Sequence, residues 1–222
     1  ELAGGLPGRV VLQTTPAEEN STCKELLAHE GAFDGIGAAV MAHSYGYDLA
    51  RQTWLGARRF RVVFTGVPAH ASAAPFMGRN ALDAAVLALN GISMLRQQLS
   101  PTDRVHAIIV DGGQVPNIVP ERAEVSARVR SKYPETLVDL FRRVSDIFHG
   151  AGLMTGVGVE IIADELPNEM PVRDNRPLLK SWVRAERERG REPLPFGVVT
   201  ESVAAGTDFG NVSVRIPGIH PL

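Results

Sequence analysis

Glu18 and Glu19 stand side by side just past R-V-V-L-Q-T-T, an apolar β-branched run at 9–15 that leads into Pro16. Adjacent like charges at the end of a buried strand are costly unless a cation lies near them. One chemistry divides the work between two such acids. One carboxylate binds a divalent metal, and its neighbour takes a proton from metal-bound water and later gives it back. The plainer alternative is a pair of solvated loop acids. His43 ends the next apolar stretch. It is either a neutral imidazole ligand for the same ion or an ordinary satisfied polar residue.

Three further residues could touch a substrate. His70 lies in G-V-P-A-H-A-S-A-A-P, among small residues, where an imidazole can donate to a developing oxyanion or simply serve a turn. Asn117 lies between prolines in Q-V-P-N-I-V-P, which fix the backbone and present the amide. Arg130 ends a strand and can pair with a carboxylate through two parallel hydrogen bonds. Each of the three is equally open to a structural role. His29 and His149 fall on expected helices with no partner in view and read as structural.

Periodicity supplies the elements that would hold these residues. The run 9–15 reads as a central strand with the Glu pair past its C-terminal edge, where ligand sites of open α/β sheets lie. Lys24 to His29 reads as a short helix, and Phe33 to His43 as a glycine-rich loop leading into a second apolar strand. Arg58 to Gly66 alternates as a half-solvated strand. A helix is expected over Asn80 to Leu99, with Leu82, Val86, Leu89, Ile92, Met94 and Leu95 on its apolar stripe. Strands over Arg104 to Asp111 and Arg122 to Val129 follow. A second helix over Glu135 to Gly152 turns Leu137, Leu140, Phe141, Val144, Ile147 and Phe148 inward, and Gly158 to Ala163 is a last strand. That order is β-α-β-β-α-β, a split βαβ (ferredoxin-like) unit. A polar helix from Pro177 to Gly190 leads to A-G-T-D-F-G-N-V-S-V-R-I-P-G-I-H-P. The expected fold class is α/β, with flanking parts at 1–56 and 165–222 interrupted by an inserted unit at 57–164.

Composition narrows the classes. With 222 residues, the chain can form one large domain or two small ones. A net charge of −2 gives no basic excess for nucleic acid, and no lysine-rich block suggests a membrane surface. No apolar run approaches the roughly 18 residues of a spanning helix. The single cysteine, Cys23, excludes an internal disulfide framework and fits a reducing, cytoplasmic setting. The opening E-L-A-G-G-L-P-G lacks the basic start and apolar core of a secretory leader and reads as a linker or the tail of a helix.

P-A-E-E-N, M-A-H-S, A-H-A-S-A-A-P-F-M-G-R-N-A-L-D-A-A, P-N-I-V-P-E-R-A-E and G-T-D-F-G-N-V-S follow one another at fitting intervals. The ordered set resembles the dinuclear-zinc metallopeptidase and amidohydrolase family of aminoacylase, bacterial glutamate carboxypeptidase and aminobenzoyl-glutamate hydrolase. Within it, the branch that cleaves β-alanyl-lysine-type dipeptides is the most similar. The resemblance runs through nearly the whole chain. It implies a zinc-binding α/β catalytic domain interrupted by a lid, the lid being also the homodimer contact.

Residue by residue, the resemblance implies that Glu18 is the general base and that Glu19 and His43 are metal ligands. His70 would be the lid histidine that reaches a partner's active site and stabilises the oxyanion. Asn117 and Arg130 would hold substrate, Arg130 through its terminal carboxylate. Asp208 would lie near the site as a supporting residue. The family pattern also has a His/Cys-then-His/Asp motif before the Glu pair and a last His ligand near the C-terminus. Neither lies within these residues, and His220 matches the preceding, non-ligand histidine. The resemblance thus implies two zinc ions in a complete chain, replaceable by manganese or cobalt, and weak or no binding by this one. Cys23, where the family has glycine, is either near the metal or a buried inert thiol.

Two functions stay in play on this basis. One is a hydrolase of amide bonds in dipeptides or N-acyl amino acids. The other is a truncated chain that only folds and dimerises through its lid. A third, nucleic-acid binding by the split βαβ sheet, needs paired stacking aromatics. The inserted strands carry only Phe60 and Phe64.

Overall fold

In chain order the elements are α1 (Cys23–His29), β1 (Ala39–Val40), β2 (Trp54–Thr65), α2 (Ala81–Arg96), β3 (Arg104–Asp111), β4 (Arg122–Ser131) and α3 (Pro134–Thr155). β5 (Gly158–Ala163), α4 (Arg176–Glu188), β6 (Ala205–Gly206), α5 (Phe209–Ser213) and β7 (Gly218–Ile219) complete them. The computed structural model describes residues 8–19, 22–201 and 205–222. Residues 1–7, most of the stretch expected to be a linker, lie outside the described residues.

The β-α-β-β-α-β order is realised by β2, α2, β3, β4, α3 and β5. Its sheet runs β3-β4-β2-β5, with every neighbouring pair antiparallel. β2 is the spine: Phe60 pairs with Ala127 on one side and Ala163 on the other. Strand alternation sends Phe60, Val62 and Phe64 to one face, where they are buried with Val125, Val129, Leu140, Val144 and Phe148. Phe60 and Phe64 therefore belong to the core and form no exposed stacking platform.

Local chemistry sets the helix ends. The Asn80 side chain accepts from the N–H groups of Leu82 (2.9 Å) and Asp83 (3.3 Å), capping α2. Pro134 opens α3, and Gly156 ends it in the left-handed conformation at φ 69°. α3 buries Leu137, Leu140, Val144 and Phe148, as its periodicity predicts. The stripe expected for α2 is displaced. Its buried residues are Ala81, Ala84, Ala85, Ala88 and Ile92, whereas Val86 and Met94 are exposed. Alanines let the helix lie close to the sheet and to α3, so small size outweighs hydrophobicity in choosing the inward face.

A second departure concerns residues 9–15. They form no strand, and Val10 and Leu12 are 78% and 92% exposed. A strand exists only where its backbone groups find a neighbour, and none of the described residues pairs with 9–15. The segment keeps its β-like pattern without the sheet that would use it. The second apolar stretch fares better: β1 pairs parallel to β7, Ala39 with Gly218 and Val40 with Ile219. The pairing continues through Met41 N–H to Ile219 O (3.1 Å) and His43 N–H to Pro221 O (3.1 Å). β6 lies parallel to the first residues of β2, Trp54 against Ala205 and Leu55 against Gly206. The flanking segments thus meet the four-stranded sheet at the Trp54 end of β2.

Candidate functional site

The Glu pair sits in a turn over residues 16–19 rather than at a strand edge. Ala17 takes a left-handed φ of 58°, which costs a non-glycine residue about 1–2 kcal/mol. Contacts from a distant part of the chain meet this turn. Thr207 Oγ1 donates to Glu18 Oε1 at 3.2 Å, and Phe209 N–H donates to the same hydroxyl at 3.2 Å. Glu19 is exposed.

The next residue, Asp208, ties together two short helices. Its carboxylate accepts from Lys24 N–H (2.9 Å) and forms an ion pair with Lys24 Nζ. Both residues are 2% exposed. Around them, Asn211 donates to Glu25 Oε2 (2.8 Å), and Arg215 grips both oxygens of Glu25 (2.6 and 2.7 Å). Burial would push the Glu25 carboxyl up, but the bonds from Arg215 and Asn211 outweigh it and hold it below the usual range. Glycine is required at 210, because a Cβ there would lie 1.6 Å from Met170 O. That close approach seats α5 and, with it, the Thr207–Asp208 pair. Cys23 stands at the start of α1, half-buried.

His43 is exposed, and its Nδ1 lies 2.7 Å from Ser44 O. A carbonyl can only accept, so Nδ1 carries a hydrogen, and in the neutral ring the lone pair is on Nε2. His43 is 6.2 Å from Trp54 and 6.3 Å from His220, ring centre to ring centre. His220 is 1% exposed and stacked on Trp54 at 4.2 Å and 7°. Burial is the main cause that lowers its pKa to about 4; the Met41 carbonyl at 2.8 Å opposes the shift, and His43 and Lys24 add to it. His220 is thus a neutral structural ring at neutral pH. A cavity of about 330 Å³ opens beside His43, lined also by Tyr45, Asp48, Trp182 and Arg191.

His70, Asn117 and Arg130 fall at two ends of the sheet. His70 and Ile118 form an antiparallel bridge, and Ala71 N–H donates to Asn117 O at 3.0 Å, so the two loops carrying His70 and Asn117 meet. His70 Nδ1 accepts from the N–H groups of Ser72 (3.4 Å) and Ala73 (3.2 Å), which leaves the hydrogen on an exposed Nε2. Arg130 pairs with Ala57 on β2, near its Trp54 end, whereas Arg122 pairs with Thr65 at the other. Eight residues of antiparallel strand span roughly 27 Å, so Arg130 and Asn117 cannot grip one small molecule within a single protomer. Burial and the neighbouring Arg128 hold the Arg130 guanidinium below the ordinary arginine range, with Glu169 opposing them. Its Nε is buried with no hydrogen-bond partner among the described residues. Glu169 itself takes Arg59 (3.1 Å) and Arg128 (2.6 Å).

Comparison with known proteins fits this architecture. Residues 55–152 match the M20 peptidase dimerisation domain. The chain is 37% identical over 222 residues to a mouse Xaa-Arg dipeptidase and 38% identical over 217 residues to its human counterpart, covering 99% and 97% of this chain. The chain carries the dimerisation domain of M20 peptidases. One polypeptide of the p-aminobenzoyl-glutamate hydrolase of Escherichia coli K12 is 34% identical over 171 residues, 74% of this chain and 36% of that one. In fold, the chain matches a dinuclear metal-binding M20 peptidase of Bacillus subtilis, with a TM-score of 0.70 at 19% identity over 93% of this chain and 53% of that one. It also matches an aminobenzoyl-glutamate utilization protein of Klebsiella pneumoniae, with a TM-score of 0.67 at 21% identity over 93% of this chain and 55% of that one. The chain spans about half the length of the dipeptidases it matches, 51% and 49%.

A catalytic zinc takes three protein ligands. Among the described residues, no three His, Cys, Asp or Glu side chains gather closely enough to hold a metal ion. Glu18, Glu19 and His43 therefore do not converge into a metal shell by themselves. The physical reason is that 9–15 is not a strand: the Glu pair rides on a turn beside Thr207, while His43 is delivered by the β1–β7 pairing. The sequence pattern did not single out Thr207, Lys24, Trp54 or Glu169.

Proposed function

We propose that this chain is part of a hydrolase that cleaves the amide bond of dipeptides or N-acyl amino acids bearing a free carboxylate. The observation that carries the proposal is the 37–38% identity of nearly the whole chain to two Xaa-Arg dipeptidases. In this reading residues 57–164 act as the lid and dimer contact, and 1–56 with 165–222 contribute to the catalytic domain. Glu18 moves the proton between attacking water and leaving amine. Glu19 and the Nε2 of His43 are two donors of a metal shell whose other members lie in the length the relatives have and this chain does not span. Zinc is the expected metal, with manganese or cobalt as substitutes. It would supply an activated water.

His70 donates its Nε2 hydrogen to the developing oxyanion. It lies at the opposite end of the sheet from β6 and Trp54, so the reading requires a homodimer in which a partner's His70 and Asn117 approach the site. Arg130 then holds the substrate carboxylate from its own protomer.

The test is an assay of the polypeptide at its relatives' length, with added zinc, manganese or cobalt. Substrates are dipeptides ending in arginine or lysine, and p-aminobenzoyl-glutamate. Hydrolysis that Glu18→Gln abolishes supports the proposal; hydrolysis that Glu18→Gln leaves unchanged sinks it. The match of residues 55–152 to a peptidase dimerisation domain supports a second reading, a chain that folds and dimerises through its lid without catalysis. Dimerisation with neither metal uptake nor hydrolysis at full length would select that reading.

A further inference from the structure

The loop that ends in Asp208 carries an arrangement that the reading of Glu18 as proton carrier does not use. Thr207 is buried and has one hydroxyl hydrogen. Its oxygen already accepts from Phe209 N–H at 3.2 Å, so its hydrogen is the group facing Glu18 Oε1 at 3.2 Å. A hydroxyl that must donate selects an acceptor, and it pins one carboxylate oxygen while leaving the other for proton transfer. The hydroxyl is itself held on both sides. On one side, β6 pairs with Trp54 and Leu55. On the other, Asp208 is locked to the backbone and side chain of Lys24, six residues beyond Glu18, in a buried ion pair. The clamp therefore holds both the helix that follows Glu18 and the hydroxyl that meets its carboxylate. The segment before Glu18 forms no strand, so this clamp does the aiming that a strand edge was expected to do.

We infer that Thr207 is a positioning residue for Glu18, kept in place by the Lys24–Asp208 pair. The inference rests on the proposed role of Glu18, and its test separates the two. In the polypeptide at its relatives' length, kcat and KM are measured separately on a dipeptide ending in arginine, with unfolding midpoints recorded for every variant. Thr207→Val should lower kcat about tenfold or more while KM stays within about twofold, and Thr207→Ser should restore kcat, as expected for loss and return of one charge-assisted hydrogen bond. Combined with Glu18→Gln, Thr207→Val should cause no further loss. If the valine variant does not fold, Thr207→Ala, which leaves room for a water at Phe209 N–H, carries the same expectation. Unaltered kcat in Thr207→Val or Thr207→Ala, with Glu18→Gln inactive, overturns the positioning role and leaves the role of Glu18 standing. Full activity in Glu18→Gln overturns both.

Discussion

Replacing Lys24 with methionine removes the ammonium but keeps an unbranched side chain of similar length. Asp208 would then retain the Lys24 backbone N–H at 2.9 Å and lose the partner of its other oxygen, at a residue 2% exposed. Removing one member of a buried pair strands a charge and costs about 3–5 kcal/mol. For a chain of this size each kcal/mol moves the unfolding midpoint by about 2–4 °C, so Lys24→Met should lower it by roughly 6–20 °C. Circular dichroism melts of the 222-residue chain measure this directly. The double variant Lys24→Met with Asp208→Asn separates charge from packing. Asparagine still accepts from the Lys24 N–H but is neutral, so the double variant should recover part of the loss. Equal melting of the single and double variants would refute the reasoning, because it would mean that the stranded carboxylate is not what costs stability. A single variant that melts with the unaltered chain would refute it more simply.

Two further outcomes follow from packing and protonation. Phe148, fully buried between Phe60 and Phe64, should cost about 3–5 kcal/mol on replacement by alanine, seen as a lower guanidinium midpoint with the slope unchanged. His220 has a folded pKa of about 4 against an ordinary 6.5. The unfolded chain therefore binds the extra proton first, and stability present above pH 6.5 is lost as pH falls toward 4, by about 3 kcal/mol in all. The groups around the ring are His43, Lys24, the Met41 and Pro221 backbone, and the Trp54 and Phe209 rings. His220→Gln should flatten that slope in denaturant titrations at successive pH values, and an unchanged slope would assign it to other groups.

The inserted βαββαβ unit was legible because its signals are local. Strand alternation in β2 and β4 and the helical spacing of Leu137, Leu140, Val144 and Phe148 are read within one turn or one pleat. In the flanking parts the helices α1 and α4 were legible for the same reason, whereas the strand expected at 9–15 was not, because a strand is decided by partners far along the chain. R-V-V-L-Q-T-T at 9–15 has the composition of a strand, yet a strand is a property of a pair. The pattern of α2 marks a helix but misplaces its buried face, since alanine carries almost no hydrophobic signal while close packing favours it. The contact between Glu18 and Thr207 joins residues 189 positions apart. No spacing rule reaches that far, and the neighbouring Asp208 was visible only as an acid of unassigned purpose.

Distance also constrains how the proposed lid can work. Arg130 stands opposite Ala57, close along β2 to the Trp54–β6 pairing, whereas His70 follows the far end of β2. Because β2 is continuous from Trp54 to Thr65 and paired on both sides over its second half, no hinge within it can fold His70 back toward Glu18. A rigid strand of 12 residues, about 36–40 Å long, can bring its far end to a catalytic centre only if that centre belongs to another molecule. Under the proposed function, in which Glu18 and His70 serve one reaction, the continuity of β2 thus makes dimerisation a requirement rather than an accessory.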